Sequence, residues 1–232
     1  RMSKIQFSET VKYRLSSLVA MNRIALTTLA RHAFRPRLEP SWDAYFEIGI
    51  RFWRHQFTRA MQHADIAKGR LIFDSLITET DDVYDVTIEA SLDPQGHWYT
   101  PCKLKSDATL LFCHGGGYTF HGAISRRFAA MLAHHCGARL FAPNYRLTPE
   151  NPHPAQAEDA LAAWHHVSKS TPPAKLVVIG DSAGGHMALM LLQTLHAEGL
   201  PQPALCIGLC PWTDIGERGA SFHVNDRFDL VQ

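Results

Sequence analysis

The chain has 232 residues, 46% of them hydrophobic and 19% charged, with a net charge of +1. That is enough apolar material for one sizeable core, which excludes a disordered or fibrous chain and points to a globular α/β-type body with an appendage. The near-neutral total hides an asymmetry, because residues 1–70 hold 13 Lys/Arg against 5 Asp/Glu whereas the rest hold 10 against 17. A basic front could attract anionic substrates or a membrane surface, but two solvated surfaces that partly complement each other explain the same numbers and are the favoured reading.

Arg1 precedes Met2, so the natural start is expected at Met2. From Val11 to Phe34 apolar residues recur at helical spacing, predicting an amphipathic helix ended by Pro36. A second helix follows Pro40, with Ser41 as the expected N-cap and Trp42, Tyr45, Phe46, Phe52, Trp53 and Phe57 supplying an aromatic face. That face suits core packing first and an acyl-binding lid second. Residues 64–82 read as a polar connection. No stretch approaches the length of an apolar membrane span, and Asn22 with Arg23 interrupts the one run that could serve as a signal peptide, so no integral membrane segment is expected.

Strands are predicted at Val83–Ala90 and around His97–Tyr99, as two antiparallel edge strands joined by the turn Asp93-Pro94-Gln95-Gly96. Ala108–Cys113 is a continuous apolar run, expected to be covered on both faces, and it delivers His114-Gly115-Gly116-Gly117-Tyr118. Consecutive glycines at a strand end are entropically costly unless the backbone must come close to something, and bare N–H groups aimed at one point make an oxyanion hole. Gly116 and Gly117 are the expected donors. No Lys-Ser/Thr follows the glycines, so a phosphate-binding loop is excluded. His114 is expected to brace the loop and not to act as a base. A helix at Ser125–His135, a strand at Ala138–Ala142 and a helix at Ala155–Val167 come next, with Arg146 and Glu150 able to pair in the intervening loop and read as structural.

Lys175–Gly185 then runs from a buried strand through Gly180-Asp181-Ser182-Ala183-Gly184 into a helix. A G-x-S-x-G in a strand-turn-helix context is a nucleophile elbow, with Ser182 as nucleophile and the Ala183 N–H as a third oxyanion donor. Ala204–Leu209 is one more strand, and the residues after Asp214 are polar without periodicity. The five cysteines, an odd set without C-x-x-C, read as free thiols in a reducing compartment and predict a cytoplasmic protein. The basic residues follow no base-reading motif, so nucleic-acid binding is not expected.

The segments HGGGY at 114–118, YRLTPE at 145–150 and GDSAGG at 180–185, in this order, resemble the hormone-sensitive-lipase-like branch of the α/β-hydrolases. The resemblance implies an α/β-hydrolase fold with a mostly parallel sheet, residues 1–70 as a helical cap and residues 71–232 as the hydrolase body. It implies a carboxylic ester hydrolase acting on small or medium acyl esters, without cofactor or metal, with Ser182 as nucleophile and Gly116, Gly117 and Ala183 as oxyanion hole. In that family the triad acid and histidine follow the serine after further strands. Here a single strand follows, and Asp214, Asp226 and His223 lie too early for those roles. The expectation is therefore that the sequence is a portion of a longer polypeptide carrying acid and base beyond Gln232. The alternative is an inactive, receptor-like small-molecule-binding protein, as in the plant gibberellin receptors, which lack that histidine.

Overall fold

The computed structural model describes residues 9–75, 83–216 and 219–230. The expected start at Met2 and part of the 64–82 connection lie outside these. The described residues up to 75, together with those from 216 on, form one compact unit, and residues 83–215 form a second.

The first unit is helical. Helix α1 spans Glu9–Phe34, α2 Ala44–Met61 and α3 Ile66–Phe73. The cap of α2 is Asp43 and not Ser41: its carboxylate accepts from Phe46 N at 2.7 Å, the acceptor an exposed first-turn N–H needs. Helix α3 falls where the sequence reads as connection. Asp65 caps it by accepting from Ala67 N (3.0 Å) and Lys68 N (3.3 Å), and Ile72 and Phe73 are buried. Gly69, which weakens the helical signal, is needed there, since a Cβ would lie 2.5 Å from Ala60 O. Phe52, Trp53, Phe57 and Phe73 form a chain of ring contacts with centroids 5.2–6.4 Å apart, so this part of the aromatic face is core. Residues near the C-terminus contribute a short helix, α7 (Ala220–Val224), and a 3₁₀ turn at Asp226–Phe228. They join this unit through an Arg54–Asp226 ion pair and an edge-on Trp42–Phe228 contact at 5.8 Å.

The second unit is a six-stranded sheet: β1 Val86–Leu92, β2 Gln95–Pro101, β3 Thr109–Cys113, β4 Arg139–Pro143, β5 Leu176–Asp181 and β6 Leu205–Leu209, in the order β1-β2-β4-β3-β5-β6. β1, β2 and β4 pair antiparallel, and β4, β3, β5 and β6 run parallel. The two antiparallel strands ahead of a parallel block match the sequence reading. All five residues of β3 are buried, as a continuous apolar run requires. Helix α4 (Ala123–Cys136) packs its alanine face, Ala129, Ala130 and Ala133, on one cluster with Phe112 and Leu140. Helices α5 (Ala155–Ser168) and α6 (Ala183–Ala197) pack on the other, around Leu111, Phe141, Trp164 and Leu191. Parallel strands present their carboxyl ends together, so β3 and β5 deliver the glycine loop and Ser182 to the same edge, in a register that pairs Cys113 with Gly180.

Candidate active site

Ser182 stands between β5 and α6 with φ 52° and ψ −120°, a left-handed conformation that a non-glycine residue adopts only under constraint. The constraint is visible in its backbone bonds. Ser182 N donates to Leu209 O (3.0 Å), and Ser182 O accepts from Trp212 N (2.9 Å) and His186 N (3.2 Å). The side chain is exposed at the elbow. The flanking glycines are steric requirements: a Cβ on Gly180 would lie 2.1 Å from Gly184 O, one on Gly184 2.0 Å from Cys113 O, and one on Gly185 2.7 Å from the Pro211 side chain.

The structure brings the glycine loop against this elbow. Gly115 N donates to Asp181 Oδ1 at 2.8 Å, and a Cβ on Gly115 would lie 2.3 Å from Asp181 Oδ2. Gly116, Gly117 and Tyr118 follow with φ of 114°, 60° and 60°, a turn closed by Thr119 N and Phe120 N, which donate to Gly116 O at 3.0 and 2.9 Å. The N–H groups of Gly116, Gly117 and Ala183 take no partner among the described residues, and Ala183 opens α6, where amides have no intrahelical acceptor. These are the three positions the sequence singles out as donors.

Three residues that sequence reasoning missed hold the loop. Asp181 is one; burial raises its carboxyl, and the Gly115 N–H partly offsets this. The others are Tyr118 and His186, whose Oη and Nδ1 are 2.7 Å apart. Burial pushes the Tyr118 phenol up and holds the His186 imidazole down, with His153 adding to the latter, so both favour their neutral forms in this hydrogen bond. Partners 66 and 68 residues apart leave no mark at sequence level.

His114 is buried and braces the loop as expected. Its Nδ1 lies 2.7 Å from Gly115 O, its ring stacks on Tyr145 at 4.1 Å, and Tyr145 Oη donates to His114 O at 2.7 Å. Burial, with His121 beside it, holds His114 well below the usual imidazole range, although its bond to Gly115 O works the other way. His121 packs 4.1 Å from the His114 ring, neither of its nitrogens has a partner among the described residues, and burial lowers it to about 4, with His97 adding to the shift. No histidine ring bonds the Ser182 side chain among the described residues. His223 lies on α7, in the helical unit.

The loop after β4 supports the glycine turn from the other side. Thr148 N donates to Tyr118 O (2.9 Å), and the Thr148 and Thr119 hydroxyls are 2.9 Å apart. Arg146 is structural, as read, but reaches the carboxylates of Asp159 (2.8 Å) and Glu158 (2.7 Å) on α5, where the sequence offers Glu150; the first two turns of that helix put both carboxylates on the side of the loop. The cysteines are free thiols among the described residues, with Cys113 buried and pushed up to about 12 by burial, Cys206 half-buried, and Cys102, Cys136 and Cys210 exposed.

A profile of the α/β hydrolase fold matches residues 110–229. Over 126 residues the chain is 38% identical to an acetyl-hydrolase of Streptomyces hygroscopicus, covering 53% of this chain and 42% of that one. It is 35% identical over 121 residues to an ethyl acetate hydrolase of Pseudomonas putida, covering 49% and 38%. Among solved structures, an esterase from the bacterial hormone-sensitive lipase family superimposes with a TM-score of 0.66 at 26% identity, over 79% of this chain and 64% of that one. An esterase/lipase from an uncultured bacterium gives 0.70 at 26% identity, over 78% and 62%. The chain thus spans about two fifths of the length of these curated relatives. With the elbow, the glycine loop and the strand order in place, the chain belongs to the α/β hydrolase fold family, in its hormone-sensitive-lipase-like branch.

Proposed function

We propose that the protein hydrolyses carboxylic esters of small acyl groups through an acyl-enzyme on Ser182. The observation that carries this reading is Ser182 itself, an exposed serine held at φ 52° on a strand-to-helix turn that docks directly against a triple-glycine loop. Such a turn costs on the order of 1–3 kcal/mol of backbone strain, a cost retained where a hydroxyl must stand clear of its own backbone. Ser182 Oγ attacks the ester carbonyl and its proton passes to a histidine. The oxyanion that forms is held by the N–H groups of Gly116, Gly117 and Ala183, and the alcohol leaves with the proton returned by the histidine. Water then attacks the acyl-serine by the same route in reverse.

The triad acid and histidine are supplied, in this proposal, by sequence C-terminal to Gln232, consistent with relatives more than twice as long as the stretch they share with this chain. In the same proposal, residues 1–70 serve as a cap. The names acetyl-hydrolase and ethyl acetate hydrolase favour short acyl groups, no cofactor enters the scheme, and the free thiols suit a cytoplasmic location.

The test is the Ser182→Ala variant of the full-length polypeptide. Hydrolysis of p-nitrophenyl acetate is expected to fall to background, and labelling by a fluorophosphonate probe to disappear with it. Undiminished turnover in the variant removes the assignment.

A further inference from the structure

Helix α1 turns Ser17 and Thr28 inward, beside half-buried Tyr13, Met21 and Ile24, and turns outward an aliphatic stripe interrupted by Asn22. Ser17 and Thr28 are fully buried against α2 and α3, whereas Leu18, Val19, Leu26 and Leu29 are 44%, 67%, 69% and 51% exposed. At 100° per residue Leu15, Leu18, Val19, Leu26 and Leu29 fall within an arc of about 100°, and Ser17 and Thr28 lie on the far side. The inner face has its own bonding: Gln56 Nε2 donates to Ser17 Oγ (2.9 Å), Ser17 Oγ and Ser75 Oγ are 2.8 Å apart, and Arg51 donates to Thr28 Oγ1 (2.6 Å). The outward stripe is therefore not a core misplaced by a rotation of the helix; the polar contacts fix the helix this way round.

Cations border the stripe on both edges. Lys12 and Arg23 are exposed along one side and Arg14 along the other, and between Lys12 and Phe34 the helix carries no acidic residue. Lys12 and Arg23 form no ion pair among the described residues. No described helix is long and apolar enough to cross a membrane. Arg14 Nε donates to Ser75 O at 3.4 Å, so the unpaired cations, Lys12 and Arg23, share one edge. An apolar arc with such a cationic edge is the pattern of a helix that lies in a lipid interface, its side chains entering the acyl boundary while the cations meet headgroup phosphates. A second copy of the chain fits this face poorly, because pairing two such stripes sets one cationic rim against another with no acidic residue between Lys12 and Phe34 to answer it.

We propose that the outer face of α1 docks the protein peripherally on an anionic phospholipid surface. The proposal is independent of the chemistry at Ser182. It is tested by sedimenting the full-length protein with vesicles of phosphatidylcholine alone and of phosphatidylcholine with about 30% phosphatidylserine, at low and physiological salt. Binding to the phosphatidylserine vesicles, weakened by salt and absent on phosphatidylcholine alone, is expected. Leu26→Asp is expected to abolish it with an unchanged circular dichroism spectrum. The Lys12→Ala/Arg23→Ala double variant, which leaves the apolar stripe intact, is expected to weaken it about thirtyfold.

Equal binding to both vesicle types, or none to either, overturns the proposal. So does a dimer that Leu26→Asp converts to a monomer, which would assign the stripe to a second copy. A Leu26→Cys variant that a maleimide cannot label in the absence of lipid would also overturn it, because another part of the polypeptide would then cover the stripe.

Discussion

Replacing Gly184 by alanine sets two familiar effects against each other. Gly184 lies in α6, where helix propensity alone predicts a gain of about 1 kcal/mol from the extra methyl. The structure leaves no room for it: the new Cβ would lie 2.0 Å from Cys113 O and 2.6 Å from His114 O. Comfortable non-bonded separations are about 3.5 Å, so one carbonyl must retreat by roughly 1 Å or more. Both belong to backbone at the end of β3, which is paired to β5 and β4 and cannot swing aside as a long side chain would. Overpacking costs about 1–3 kcal/mol, and backbone on both sides argues for the upper end, so the net effect is a destabilisation of about 2 kcal/mol. That corresponds to a fall of about 4–8 °C in Tm. Turnover is expected to drop as well, since the displaced carbonyls lead directly into the glycine loop. Gly49 is the matched control: it also lies in a helix, an added methyl there would have nothing within 4 Å, and Gly49→Ala is expected to stabilise by about 0.4–1 kcal/mol. Urea denaturation of both variants decides the matter. A Gly184→Ala protein as stable as the parent, or two variants shifting in the same direction, refutes the steric reasoning.

Two further predictions concern the groups behind the loop. Asp181→Ala removes the acceptor of the Gly115 N–H and is expected to lower kcat about 10- to 100-fold with little change in KM, whereas Asp181→Asn, which keeps an acceptor oxygen, recovers most of the loss; equal rates in the two variants would exclude a positioning role. His121 titrates near 4 in the folded protein and near 6.5 when unfolded, so below about pH 6.5 the unfolded chain takes up a proton that the folded one refuses. Its contribution is complete above that pH and declines as the pH falls toward 4, by about 2–3 kcal/mol. His121→Phe is expected to flatten the pH dependence of urea stability over this window, and parallel slopes for variant and parent would show that His121 is not responsible.

Much of the sheet unit was legible because its signals are local. A continuous apolar run such as Leu110–Cys113 has few alternatives to a doubly covered strand, and Gly116 and Gly180 answer backbone contacts within or beside their own motifs, with Phe120 O and Gly184 O. The helical unit was less legible. Helix α3 was hidden by Gly69, whose cost to helix propensity is visible in sequence while its reason, the close approach of Ala60 O, is a tertiary fact. Asp43 and Ser41 are both good caps, and only the position of the first turn chooses between them. Asp181 reads as a spacer in its motif, and its bond to Gly115 exists only once β3 and β5 are neighbours. The residues 220–228 are too few and too polar to show a period, yet Phe228 and Asp226 have partners on α2 and just before it.

The polar seam between α1, α2 and α3 also bears on how the helical unit finds its arrangement. Apolar side chains grip one another almost equally well after a slip of one turn, because dispersion has no direction. Ser17, Gln56 and Ser75 do not, since their donors and acceptors meet at 2.8–2.9 Å in one alignment only, with the Ile72 carbonyl closing the set at 2.7 Å from Ser75 Oγ. Slide α1 by about 5.4 Å, one helical turn, and Ser17 is left buried without either mate, at about 1–3 kcal/mol, while Gln56 and Ser75 fall back on each other and on the Ile72 carbonyl. The seam thus acts as a key: it adds little to adhesion, but it makes neighbouring registers costly, and so helps fix which face of α1 is turned outward.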